Sequence, residues 1–239
     1  MSDLRPNTFP AHIAKNAIQE LPLTYFEGEV IVVDRPEQVA PAAAYLNQFT
    51  VLGVDTEARP SFKRGVHYPT ALVQISTQER CYLFRLTHVG LPVEIAQILA
   101  NPAICKVGLA FKDDINGLRR RRDFKPANCI DLQSIVCKYG IMDLGLQKIF
   151  AIVFGQKISK AQQLTNWENS HLTPEQARYA STDAWATLLI YLTLQQTKPL
   201  SKKQVEALKL AEKQAQFQRQ QEALARKAQA QQAQAASDV

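Results

Sequence analysis

The pattern of apolar and polar positions changes period several times along the chain, and each change marks an element. Residues 30–33 are a β-branched apolar run of strand type, and a helical stretch over 37–47 follows behind Pro36. The next strand is 51–57. Two more, 71–76 and 80–86, are separated only by Thr77, Gln78 and Glu79, the spacing of a hairpin. A helix over 93–100 leads to a strand over 104–110, a helix opening at Asp114 and a strand over 128–132. From there the pattern is helical, over 144–154 and 174–195, with Thr173-Pro174-Glu175 as the start signal of the last stretch. Strands first antiparallel and then linked by helices predict an α/β fold, a mixed sheet with helices packed on it.

Outside this body the pattern weakens. Residues 1–28 mix short helical pattern with Pro6, Pro10 and Pro22 and form an arm leading into a domain over 29–197. Residues 198–239 are rich in Ala, Gln and Lys and contain no glycine, a composition of high helix propensity. An apolar seam starts at Val205 and Leu208 but fades to Glu212, Arg219 and Glu222, so the tail is expected to be helical in part and disordered in part.

Charge adds one hint. The chain of 239 residues has a net charge of +6, which fits a polyanionic partner without identifying one. The tail holds eight Lys/Arg against four Asp/Glu, leaving 20 against 18 in the rest. Cys81, Cys105, Cys129 and Cys137 show no C-x-x-C spacing and no nearby histidines, which argues for reduced thiols in a cytoplasmic protein and against zinc. No apolar stretch is long enough to span a membrane, and Asp3, Glu20, Glu27 and Glu29 argue against a secretory signal.

The candidate chemistry lies in carboxylates. Val51-Leu52-Gly53-Val54-Asp55-Thr56-Glu57 is an apolar strand ending in D-x-E, and the two-residue period turns Asp55 and Glu57 to one face. Side by side they repel unless protonated or bridged by a cation, and hard divalent ions prefer such oxygen ligands. The same triplet also describes a solvated strand end. In Lys106-Val107-Gly108-Leu109-Ala110-Phe111-Lys112-Asp113-Asp114 a strand passes into a helix at two aspartates, one of them a candidate cap worth about 1 kcal/mol. On the last helix, Tyr179 and Asp183 stand four residues apart and share a face.

Together and in this order, the three elements resemble the signature of the DEDD 3′→5′ exonucleases, in the subclass that uses tyrosine. Residues from about 29 to 195 are similar to the exonuclease domain of the Werner syndrome helicase and, more distantly, to ribonuclease D. Thr70-Ala71-Leu72-Val73-Gln74-Ile75, Ile130-Asp131-Leu132, Asn166-Trp167 and Leu172-Thr173-Pro174-Glu175-Gln176 carry the likeness between the motifs. The resemblance implies a ribonuclease H-like fold and two divalent metal ions, Mg²⁺ or Mn²⁺. It makes Asp55, Glu57 and Asp183 ligands of the first ion; Asp55 also touches the second, which Asp114 supports through water. Tyr179 orients the attacking water. Asp114 is preferred to Asp113 because the family's acid stands six residues after the glycine of Lys-x-Gly, and because Ile115 and Leu118 then dock the helix. Asp113 becomes the cap.

One departure concerns the grip on the terminal nucleotide. Many relatives have an apolar or aromatic residue after D-x-E, where this chain has Ala58; Phe62 and His67 in the next loop are the substitutes. Lys63, Arg64 and Arg119 are candidate contacts to phosphate, the group that dominates nucleic-acid affinity, and a solvated basic face explains them as well. Asp131 is expected to make a structural hydrogen bond, and Trp167 to pack. The implied partner is a nucleic acid with a free 3′ end. DNA is favoured because residues 198–239 are too few for the helical domains of ribonuclease D; RNA trimming and an inactive binding module remain as alternatives. Helicase motifs are absent, so a separate helicase or processing protein is a possible companion.

Overall fold

The computed structural model describes residues 4–63 and 65–237. Arg64, one of the basic candidates, lies outside the described residues. Six strands form one sheet in the order β1-β4-β3-β2-β5-β6: β1 (Glu29–Val33), β2 (Val51–Ala58), β3 (Thr70–Ser76), β4 (Arg80–Arg85), β5 (Cys105–Gly108) and β6 (Cys129–Asp131). β3 runs antiparallel to β2 and β4, and the remaining pairs are parallel. The mixed sheet expected from the pattern is therefore present. The β3–β4 hairpin closes through Thr77, whose N–H donates to the Arg80 carbonyl at 2.8 Å and whose hydroxyl accepts from the Glu79 and Arg80 amides. A short polar residue offering the backbone a local partner is a reason for the chain to turn there.

The helices are α1 (Lys15–Glu20), α2 (Val39–Leu46), α3 (Leu86–Val89), α4 (Val93–Ala100), α5 (Phe111–Arg121), α6 (Leu132–Ile135), α7 (Leu146–Phe154), α8 (Pro174–Gln195) and α9 (Lys202–Ser237). Strand alternation divides the sheet into two faces. Val54, Val73, Ile75, Tyr82 and Phe84 share a core with side chains of α2, α4 and α5. On the other face the cross-strand pairs Gly53–Ser76–Cys81, Asp55–Gln74–Leu83 and Glu57–Leu72–Arg85 lie beneath α8. A third cluster joins Val107 of β5 to Phe150 of α7 and Ile190 of α8.

Two expectations about the β5–α5 junction need correction. The strand expected over 104–110 ends at Gly108, and the helix expected to open at Asp114 opens at Phe111. Ala110 adopts a left-handed φ of 54° and turns the chain early. The Asp131 carboxylate at the end of β6 accepts from the Ala110 and Phe111 amides at 3.0 and 3.1 Å. The helix is thus capped from a neighbouring strand, and Asp113, inside the first turn, is not the cap. Asp131 also accepts from the Gln133 amide at 3.0 Å, the structural role expected of it.

The tail is helical over Lys202–Ser237, and its first part is tied to the body. The Leu200 amide donates to the Lys138 carbonyl at 2.8 Å, and His12 Nε2 lies 2.8 Å from the Glu212 carboxylate. The amino-terminal arm is held in the same way, by a bridge from Arg5 to Thr197 and another from Leu23 to Lys157. Long-range backbone pairing of this kind leaves no hydropathy signal.

Candidate active site

The carboxyl end of β2 and the middle of α8 are brought together by a gap in the side chains. A Cβ on Gly53 would meet the Ala184 carbonyl oxygen, so α8 rests directly on β2 at this point. Asp183 precedes Ala184 in the helix and Asp55 stands two residues after Gly53 on the same face. Helix α8 starts at a capping box: the Thr173 hydroxyl accepts from the Gln176 amide at 3.2 Å, and the Gln176 side chain accepts from the Thr173 amide at 3.1 Å. That start sets the rotation that turns Tyr179 and Asp183 inward.

As a result Asp55, Glu57 and Asp183 each offer a carboxylate oxygen within 4.8 Å of the others. The buried Tyr179 phenol faces the Asp183 carboxylate one helical turn away, and burial followed by the charge of Asp183 pushes its pKa up. Asp114 is not in this grouping. It approaches β2 from the α5 side, where its carboxylate accepts the Thr56 hydroxyl at 2.5 Å.

Crowding of acids fixes the electrostatics. Burial, then the charges of Asp114, Asp183 and Glu57, hold Asp55 well above the usual carboxylate range. Burial, then Asp183 and Asp114, push Glu57 up to about 9. Burial raises Asp114 to about 7 against the lowering effect of the Thr56 hydroxyl. Burial also raises Asp183 to about 7, opposed by Tyr179 and by Lys160. Lys160 and the Thr56 and Tyr179 hydroxyls offset only part of this negative charge; a divalent cation among three carboxylates would compensate it better. The donor set is all oxygen, which suits a hard cation such as Mg²⁺ or Mn²⁺. The cleft above the cluster, about 280 Å³, is lined by Asp55, Glu57 and Asp183 together with Thr56, Gln147, Ser159, Lys160, Gln163 and Tyr179.

The residues matched to the 3′-5′ exonuclease family model run from 30 to 198 and take in all of these acids. The chain belongs to that family. It is 28% identical over 198 residues to the bifunctional 3′-5′ exonuclease/ATP-dependent helicase WRN of Mus musculus, a match covering 77% of this chain and 14% of the mouse protein. The Aedes aegypti Nibbler EXO domain shares the fold with a TM-score of 0.65 at 20% identity, covering 77% of this chain and 99% of that one. Escherichia coli RNase D does so with a TM-score of 0.62 at 22% identity, over 71% of this chain and 44% of that one.

The other sequence candidates of this exonuclease domain scatter. Phe62 is 85% exposed in the loop after β2, and Lys63 beside it is exposed too. His67 lines a larger groove of about 940 Å³ with Tyr68, Asp113, Gly117, Arg120 and Arg121, separate from the acidic cleft. Arg119 lines neither; it pairs with Asp123 at 3.4 Å. Arg119 begins a run of four arginines, of which Arg121 donates to the Thr70 carbonyl at 2.6 Å and Arg122 to the Leu91 carbonyl at 2.7 Å. Those two therefore hold elements together. Sequence reasoning missed Thr56, Gln147, Ser159, Lys160 and Gln163. Only Thr56 carried a signal, as the residue enclosed by D-x-E; most of the others come from the irregular segment between α7 and α8.

Proposed function

We propose that the domain hydrolyses nucleic acid from the 3′ end, releasing nucleoside 5′-monophosphates, with two divalent metal ions held by Asp55, Glu57, Asp183 and, on its own side of β2, Asp114. The observation that carries the reading is the convergence of three carboxylates within 4.8 Å beside an inward phenol. Divalent ions held there would supply Lewis-acid stabilisation of both the attacking and the leaving oxygen of the scissile phosphate. The chain's own part is positional. Asp55, Glu57 and Asp183 bind; Asp114 is oriented by Thr56; and Tyr179, held by burial and kept protonated, aims its hydroxyl at the place where water attacks. Lys160 offers the cleft a cation for the phosphate.

DNA is the proposed substrate and RNA the second reading. The likeness to the mouse exonuclease/helicase supports the first, and the fold shared with RNase D keeps the second in view. The mouse relative joins both activities in one protein, which supports a separate helicase as a companion of this chain. The deciding assay uses matched DNA and RNA strands labelled at either end, with Mg²⁺, Mn²⁺ or EDTA. Mononucleotides released from the 3′ end only with metal support the reading. Degradation in excess EDTA, or release from the 5′ end first, rejects it.

A further inference from the structure

Gln74 lies at the centre of the sheet and is fully buried, yet neither its Oε1 nor its Nε2 has a hydrogen-bond partner among the described residues. Leaving such atoms unpaired carries their desolvation penalty with no hydrogen bond to offset it, and leucine or valine would fill the same place without that cost. On its face Leu83 is the β4 neighbour, Leu72 lies two residues before it, and Ser76, two residues after it, donates its hydroxyl to the Thr77 carbonyl. The ionisable neighbour is on β2. Gln74 is the cross-strand partner of Asp55, and directly opposed residues project from the same face with Cβ atoms about 4.5–5.5 Å apart.

We propose that Gln74 is a positioning residue for Asp55, its side-chain N–H donating to the Asp55 carboxylate when that group is ionised and binding a divalent cation. The inference rests on the metal-centre reading above. Asp55 offers one oxygen to the cluster, while a carboxylate has about four lone-pair sites to satisfy. The Thr56 amide serves one of the others, and Gln74, opposite on the sheet, is placed to serve another. Lysine there would cancel the negative charge that attracts the cation, and an acid would add to the repulsion. A neutral amide donates without doing either. Outer partners of this kind fix ligand orientation and typically change metal affinity by about 10–100-fold.

The test is Mn²⁺ binding by calorimetry in the absence of nucleic acid, comparing wild type, Gln74→Leu and Asp183→Asn, with thermal midpoints in EDTA. Gln74→Leu should have a metal-free midpoint at or above wild type, because two unpaired polar atoms leave the core. Its Mn²⁺ affinity should nevertheless fall by about tenfold. Gln74→Met repeats the measurement with a longer, more adaptable side chain, and should behave the same way. Affinity within about twofold of wild type in either folded variant, with binding lost in Asp183→Asn, overturns the role of Gln74 alone. A wild-type protein that takes up no Mn²⁺ overturns the metal-centre reading and this inference together. Failure of both Gln74 variants to fold also overturns it, since the amide would then be supporting the core.

Discussion

Gly53 lies so close beneath Ala184 that a Cβ there would stand 2.0 Å from the Ala184 carbonyl oxygen and 2.9 Å from the Leu188 Cβ. Both obstacles belong to a long, buried helix that cannot yield locally, so Gly53→Ala must lift α8 from β2. The substitution should destabilise the fold by about 1–3 kcal/mol and separate Asp183 from Asp55. Denaturant titration and turnover on a short strand measure the two effects. A variant with unchanged midpoint and turnover would show that the helix is not held at this contact.

The metal-free protein should lose stability as pH rises. Carboxyls of the unfolded chain ionise near pH 4, whereas in the fold Asp114 and Asp183 are raised to about 7 and Glu57 to about 9. Between those limits the folded state binds more protons than the unfolded one, so its stability declines with increasing pH. Divalent cations replace the protons and bind better as the carboxyls ionise. The rise in thermal midpoint on adding Mn²⁺ should therefore grow from pH 5 to pH 8. A rise that is constant or shrinks over that interval contradicts the assignment of these pKa shifts to the cluster.

Asp55→Ala and Asp183→Asn should each abolish hydrolysis while raising the midpoint in EDTA, because both remove charge from a crowded, buried site. Rate and melting must be measured together. Turnover within about threefold of wild type, less than 1 kcal/mol of barrier, would show that the residue is not a ligand. A lower midpoint would instead place it in a stabilising ion pair.

The parts legible in the sequence were those with period or local chemistry. Alternation in 51–57 put Asp55 and Glu57 on one face, and Thr173-Pro174-Glu175 marked the start of α8, both as found. What escaped was set by tertiary contact. Ala110 in a left-handed turn started α5 at Phe111 because the Asp131 carboxylate, twenty residues later, takes up the free amides; no local pattern encodes that partner. Nothing in the sequence marks Arg121 and Arg122 as structural, because their acceptors are the backbone carbonyls of Thr70 and Leu91, positions that carry no side-chain signal. Gln74 carries no signal of its own within the strand over 71–76, since its burial appears only once β2 and β4 flank it.

Asp114→Asn should be far more damaging than Asp113→Asn, although the two acids are adjacent and share the first turn of α5. The register decides. Ile115 and Leu118 are buried against the sheet, which leaves Asp113 exposed on the groove beside His67 and turns Asp114 towards β2. There the Thr56 hydroxyl donates to Asp114 from the residue between Asp55 and Glu57. Removing the negative charge at 114 should lower turnover by about 10–100-fold at fixed metal, the range for groups that orient a metal site, with the loss partly recovered at higher Mn²⁺ concentration. At 113 the change should stay within about twofold, as for other exposed positions. Thr56→Val tests the same geometry from the other partner. It keeps the shape of the side chain, removes the donor, and frees the carboxylate to turn, so it should reproduce part of the Asp114→Asn defect without changing the charge of the site. Equal losses at 113 and 114, or a Thr56→Val enzyme as active as wild type at limiting metal, would mean that Asp114 serves the start of α5 and not the chemistry.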